Sequence, residues 1–234
     1  MCASVARKLD VAGELPPLSN GDRMTQKEFH RRYERYPEDV KIELVGGVVY
    51  MASPLSIDHS DYDIEVAYLY ETYRRATPGT QSLHNATALL GEESEPQPDL
   101  GLRILSECGG QSHVHDRYLV GAAELLTEIS VSTRAIDLHL KKADYQRAGA
   151  CEYLVVSVEE PKLFWFGFKP RGNILPDKDG IYRSRVFPGL WIDGPSLLAR
   201  KSRRLMTVLR QGLRSPEHAA FVKKLAAAKS RGRR

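Results

Sequence analysis

Asp99, Glu128 and Lys141 are the residues of this chain best suited to chemistry. Asp99 follows Pro98 ahead of an apolar step, Glu128 lies in a strand-like run, and Lys141 lies in a helix-like run. Two carboxylates and an ammonium gathered by a sheet and its adjoining helix suit a divalent cation acting on a phosphodiester. Magnesium takes hard oxygen ligands, usually one or two carboxylates, and leaves its other positions to water and phosphate. A nearby lysine can orient the attacking water or stabilise charge that builds on the phosphate. Each residue also has a plainer reading. Glu128 could be an edge-strand glutamate facing water or an arginine, Asp99 half of a Pro-Asp turn, and Lys141 a solvated partner of Asp137.

The elements that would position these groups can be read from the pattern. Thr25 with Glu28 forms a capping box for a helix ending near Tyr36, where Pro37 restricts its neighbour. Lys41 to Met51 reads as a hairpin turning at Gly46-Gly47, with Glu43 facing opposite to Ile42 and Leu44. Asp58 to Arg75 has helical spacing and ends at Pro78-Gly79. Its first turns carry His59 beside Asp58 and Asp61, where a histidine is more often an ordinary surface residue. Ser82 to Leu90 and Asp99 to Leu105 read as strands, and Ser106 to Asp116 as an exposed loop. Leu119 to Val131 ends as a buried strand in which Glu128 and Ser130 share one face and Ile129 takes the other. Ser132 or Thr133 can cap the next helix, which Gly149 stops; on it Asp137, Lys141 and Tyr145 share a face. Tyr153 to Val158 and Leu163 to Phe168 form a second hairpin. Weaker strands flank Pro188-Gly189, and Leu197 to Leu213 reads as a closing helix. This order predicts an α/β fold with a mixed central sheet flanked by helices.

Bulk properties narrow the setting. At 234 residues and 26.3 kDa, with 42% apolar and 27% charged residues, the chain suits one globular core. No apolar run has a membrane span's length, and Met1 to Leu9 lacks a secretory leader's apolar stretch. Cys2, Cys108 and Cys151 have no C-x-x-C spacing, which favours a reducing, cytoplasmic setting. The net charge of +4 is unevenly distributed: from Ala199 onward 12 Lys and Arg face one acidic residue, Glu217. The rest of the chain therefore stands at about −7. Such a one-sign block either attracts polyanions or is a solvated, partly helical tail. The expected organisation is a flexible lead-in over 1–22, a domain over 23–198 and a basic tail over 199–234.

Other chemistries fit less well. His113, His115, Asp116 and Cys108 sit in a Gly-rich stretch without the helical support that a zinc site commonly has. No P-loop glycine pattern and no G-x-S-x-G elbow occurs.

Several phrases together resemble a known family. Ile42-Glu43-Leu44-Val45-Gly46-Gly47, then Met51-Ala52-Ser53-Pro54 with His59, then Gln97-Pro98-Asp99 follow the order found in the Uma-two family of restriction endonucleases. Glu128-Ile129-Ser130-Val131-Ser132-Thr133, followed by Asp137, Lys141, Tyr145, Gly149 and Glu152-Tyr153, is similar to the family's signature. The resemblance spans about Met24 to Ile192. It implies a restriction-endonuclease-like PD-(D/E)XK core with Asp99 and Glu128 as metal ligands. It also implies that the lysine has moved from the strand position held by Ser130 to Lys141 on the following helix, with Lys142 as the adjacent alternative. Glu43 matches the family's early acidic residue and His59 its histidine.

The expected activity is Mg²⁺-dependent hydrolysis of DNA, with Mn²⁺ as a substitute ion. Glu43 would help hold metal through a water or a second ion. Lys141 would steer or activate the water, and His59 would orient the phosphate or protonate the leaving oxygen. The competing reading is a catalytically weak binding module that holds nucleic acid through its basic tail. DNA is the expected partner and no membrane is. A homodimer would make double-strand cleavage natural.

Overall fold

The computed structural model describes residues 16–37, 39–131 and 133–231. Thr25 opens α1 (Gln26–Tyr33), its hydroxyl accepting from the Glu28 amide at 3.3 Å. The chain leaves the helix at Tyr33 rather than Tyr36, because residues 34–36 continue only as a turn. β1 (Ile42–Val45) and β2 (Val48–Met51) pair as the expected hairpin. Gly46 and Gly47 both hold positive φ, 58° and 74°, as a primed two-residue turn requires. α2 (Ile57–Ala76) begins where the Ser56 hydroxyl accepts from the His59 amide.

The strands that follow are β3 (Thr80–His84), β4 (Ala88–Leu89), β5 (Leu100–Ile104), β6 (His113–His115), β7 (Tyr118–Val120) and β8 (Leu125–Ser130). A π-helical turn, Ile136–Lys141, runs directly into α3 (Lys142–Arg147). Then come β9 (Glu152–Ser157), β10 (Lys162–Phe168), β11 (Arg171–Asn173), β12 (Ile181–Arg183) and β13 (Trp191–Asp193). The central sheet has the order β11-β10-β9-β8-β5-β3, and β8 and β9 form its parallel pair. It is a mixed sheet flanked by helices, as the pattern predicted.

Two of the expectations between α2 and β7 also change. Ser82 to Leu90 is not one strand: β3 joins the central sheet, while β4 pairs with β7 in a small separate sheet. Ser106 to Asp116 is not a bare loop either, since it contains a 3₁₀ turn at Ser106–Cys108 and the β6 strand paired to β7.

Alternation along the central strands gives the sheet two different faces. Leu100, Leu102, Leu125, Ile129, Leu154 and Val156 pack with Tyr62, Val66, Leu69, Tyr70 and Tyr73 of α2. On the opposite face Leu126, Tyr153 and Val155 pack with Tyr145 of α3 and Ala88 and Leu119. Glu128, one residue from Ile129, therefore belongs to the α3 side.

The C-terminal stretch is folded. The closing helix expected over 197–213 is broken at Arg200, whose φ of 53° lies in the left-handed region. α4 (Gly194–Leu198) precedes the break, and α5 (Ser202–Leu213) and α6 (Pro216–Arg231) follow it. Leu205, Met206, Leu209, Phe221 and Leu225 bury themselves in the main core, so residues 199–231 of the segment read as a tail form a helical layer with cations outward, and 232–234 lie outside the described residues. Of the lead-in, residues 1–15 lie outside the described residues; Leu18 is buried and Gly21 donates to the Val49 carbonyl. Ser132 also lies outside them.

Candidate active site

Two strand registers bring the site together. Leu100 pairs with Thr127 in the antiparallel β5–β8 ladder. Continuing that register by one residue puts Asp99 opposite Glu128, with both side chains on the same face. Beside them the segment before Asp99 runs along β1, where Leu44 and Glu95 exchange backbone hydrogen bonds. Ile42 and Leu44 point into a local core, so Lys41 and Glu43 point the other way, toward Asp99 and Lys141.

The contacts divide into two groups. Asp99 Oδ2 accepts from the Ile129 amide at 2.8 Å and from His59 Nε2 at 3.2 Å, and Lys41 Nζ lies 3.5 Å from Oδ1. Lys41 Nζ also donates to Asn85 Oδ1 at 3.3 Å. In the second group Lys141 Nζ stands between Glu128 Oε1 at 3.1 Å and the Glu43 carboxylate at 3.0 and 3.1 Å. The Tyr145 hydroxyl donates to Glu128 Oε1 at 2.6 Å, and the Gln97 amide donates to Glu43 Oε1 at 2.7 Å. All five residues expected at the site are thus gathered at one end of the β5–β8 pair.

Lys141 reaches inward through the π-helical turn. An i→i+5 turn is rare and is found mostly as a local widening, often at functional sites. Here Asp137, Lys141, Asp144 and Tyr145 all become buried. Lys142 leaves the site, its Nζ sitting 3.8 Å from the Phe166 ring centroid, so Lys141 is the amine among the carboxylates. Asp144 fastens this helix to the hairpin: its Oδ2 accepts from the Gly46 amide at 2.7 Å and also from the Ser94 hydroxyl. That clamp holds Glu43 and Lys141 in reach of each other.

Burial and neighbouring charge act differently on the two acids. Burial alone would raise the Asp99 carboxyl, but the His59 hydrogen bond, the Lys41 charge and the Ile129 amide outweigh it and hold the pKa at about 2. Glu128 is pushed well above the carboxylate range by burial, against the pull of Lys141 and with the push of Asp99, Asp137 and Glu43. Burial also raises Asp137. Lys141 loses hydration on burial, yet Glu128, Glu43, Asp137 and Asp99 together raise its pKa and keep it an ammonium.

The donor set suits a hard divalent ion. Among the described residues Glu43, Asp99, Glu128 and Asp137 meet two ammoniums, Lys41 and Lys141, so carboxylates outnumber amines in a largely buried place. Among the described residues Glu128 Oε2 accepts no hydrogen bond, and Asp99 Oδ1 meets only the Lys41 ammonium at 3.5 Å. Among the same residues no three or more His, Cys, Asp or Glu side chains are grouped closely enough to hold a metal ion by themselves. Magnesium needs no such group, because it is commonly held by one or two carboxylates and completes its shell with water.

Some functional groups escaped the sequence. Lys41 was not singled out, although its spacing of two from Glu43 on a strand could have flagged it. Tyr145 was seen as a helix-face residue and not as a donor to Glu128. Asp144 left no signal, because its partners Gly46 and Ser94 are remote in sequence. The zinc alternative has no support, as His113 and His115 are exposed on β6 while Cys108 is buried.

The chain belongs to the Uma2 family, described as "Putative restriction endonuclease", whose model matches residues 27–197. A solved structure from Anabaena variabilis, described as a "putative nuclease belonging to DUF820", is similar in fold with a TM-score of 0.52. It is 15% identical, and the alignment covers 76% of this chain and 97% of that one. A comparison with curated proteins gave no match. The family and the fold are those of nucleases. No helix among the described residues is long and apolar enough to cross a membrane.

Proposed function

We propose that the protein is a metal-dependent endonuclease that hydrolyses phosphodiester bonds of DNA. One observation carries this reading: Asp99 and Glu128 face each other from neighbouring strands, and among the described residues Glu128 Oε2 accepts no hydrogen bond while Asp99 Oδ1 meets only Lys41 Nζ, at 3.5 Å. Asp99 and Glu128 would hold Mg²⁺, or Mn²⁺ in its place. The bound ion would polarise a phosphate oxygen and lower the pKa of a water.

The chain's own groups supply the remainder. Lys141 stays protonated between Glu128 and Glu43, so it acts as a fixed positive charge and not as a base. Glu43 anchors that ammonium, and is itself fixed by the Gln97 amide two residues ahead of Asp99. His59 donates through Nε2 to Asp99, while its Nδ1 is buried without a partner among the described residues. It is therefore assigned to orienting Asp99 instead of protonating a leaving group. Lys41, about a quarter exposed, is the amine open to a phosphate from solvent.

Plasmid nicking with Mg²⁺ or Mn²⁺ tests the reading. Asp99→Ala and Glu128→Ala should each reduce nicking by about 10³-fold or more, the equivalent of several kcal/mol of transition-state stabilisation. Activity equal to the wild type in both variants would remove this mechanism.

A further inference from the structure

The family match stops at residue 197, and α5 and α6 lie beyond it. α5 is sharply two-sided. Leu205, Met206, Val208, Leu209 and Gly212 are buried, while Arg203, Thr207, Arg210 and Arg214 are exposed at spacings of four, three and four. Those spacings set one stripe along a helix. The stripe carries three guanidinium groups and no carboxylate.

Its arginines differ from three of the cations around them, although Lys201, Lys223 and Lys224 likewise have no acidic partner among the described residues. Arg200 is paired with Asp61 at 2.7 Å and Asp58 at 3.7 Å, Arg204 with Asp193 at 3.1 Å, and Lys229 with Glu107 at 3.7 Å. Arg203, Arg210 and Arg214 have no acidic partner among the described residues. The helix that carries them cannot swing freely, because its inner side is part of the main core. A rigid row of unpaired guanidinium groups is matched to a regular row of phosphates, which Arg recognises through its planar fork of donors. Arg203 to Arg214 spans about 16 Å of helix axis, or about five base-pair steps of duplex.

The row also begins near the candidate site. Ser202 Oγ donates to Glu65 of α2, and Arg200 rests on Asp58 and Asp61 in the same helix's first turns, which carry His59. Asp58, Asp61 and Glu65 would repel a polyanion at that end, and Arg200 and Ser202 already occupy them. Residues 1–198 carry a net charge of about −7, so outside the C-terminal helices the chain as a whole does not attract a backbone.

We infer that the outer face of α5, through Arg203, Arg210 and Arg214, binds the phosphate backbone of duplex DNA and holds substrate for the site beyond β5 and β8. This rests on the nuclease reading above. The interaction is non-specific in sequence, because the arginine row reads charge and spacing and offers no base-edge contact of its own.

The test is fluorescence anisotropy of a labelled 30-base-pair duplex with the full-length chain in EDTA, across a series of NaCl concentrations. The triple variant Arg203→Gln, Arg210→Gln, Arg214→Gln should bind at least about tenfold more weakly, with a salt slope lower by about 3. A control that removes equal charge at exposed positions elsewhere, Lys27→Gln, Arg171→Gln, Lys178→Gln, should stay within about twofold of the wild type. The inference is overturned if the triple variant binds like the wild type, if the control weakens as much, or if the stripe holds anionic vesicles and not duplex. Nicking by Asp99→Ala, run in parallel, tests the site separately: affinity can depend on the stripe while nicking does not depend on Asp99, or the reverse.

Discussion

The two halves of the candidate site hold the same kinds of groups and treat them in opposite ways. At the Asp99 end a carboxylate meets His59, a backbone amide and the partly exposed Lys41, and its pKa is held at about 2. In the Glu128 pocket a carboxylate meets the buried Lys141 and the Tyr145 hydroxyl, yet its proton affinity rises well above the ordinary value. The difference lies in desolvation and in the surrounding sign of charge. Glu128 shares its ammonium with Glu43 and also feels Asp99 and Asp137, whereas Asp99 has donors of its own. A site built this way has one acid that stays ionised down to about pH 2 and one whose proton affinity burial raises.

The sharpest way to break this contrast is to remove the two amines in turn. Lys141→Met should cost about 3–5 kcal/mol of stability, since it leaves Glu128 and Glu43 buried without their cation. Lys41→Met should cost about 1 kcal/mol or less, because its pair is open to water. Urea unfolding of both variants checks this, and equal losses would erase the distinction between the two ends.

Stability against pH sharpens it further. The folded Asp99 pKa lies below its ordinary value of 3.8, so its contribution is present above about pH 4 and fades as pH falls toward about 2. Asp99→Asn should flatten that acid limb by about 2 kcal/mol. Glu128 runs the other way: its raised folded pKa makes the protein lose stability as pH rises above 4.5 toward that value. Glu128→Gln should remove this decline and leave the acid limb in place. Unfolding free energies measured from pH 2 to 8 would test both, and a common direction in the two variants would contradict the assignment.

The smallest expected effect concerns a single hydroxyl. Tyr145→Phe deletes one donor to Glu128 while Lys141 remains, so a loss of about 1–2 kcal/mol is expected in thermal or urea unfolding. A loss as large as that of Lys141→Met would mean that Tyr145, and not the ammonium, is the main support of the buried acid.

Much of this arrangement is legible in the sequence. Thr25 and Glu28 marked a helix start, Gly46-Gly47 marked a primed turn, and the alternation around Glu43 and Glu128 gave the faces of both side chains. These are local matters, governed by capping, by φ and by a period of two. The expected breadth of the C-terminal tail was less readable. Its charge count described a solvated segment, but the apolar residues spaced between the arginines bury one side of α5. The helix-face reading of Asp137, Lys141 and Tyr145 was right about proximity and silent about burial, because no sequence spacing announces a π-helical turn.

The sequence by itself determined which groups this protein could use: hard oxygen donors, an amine on the following helix, and a strand that turns Glu43 away from its apolar neighbours. Only the tertiary structure decided how each is charged and which partner it meets. Lys41 reaches Asp99, Tyr145 reaches Glu128, and Asp144 reaches Gly46 across gaps of 58, 17 and 98 residues. Proton affinity depends on burial and on charges within a few ångströms, and those are set by packing between elements that are distant in the chain.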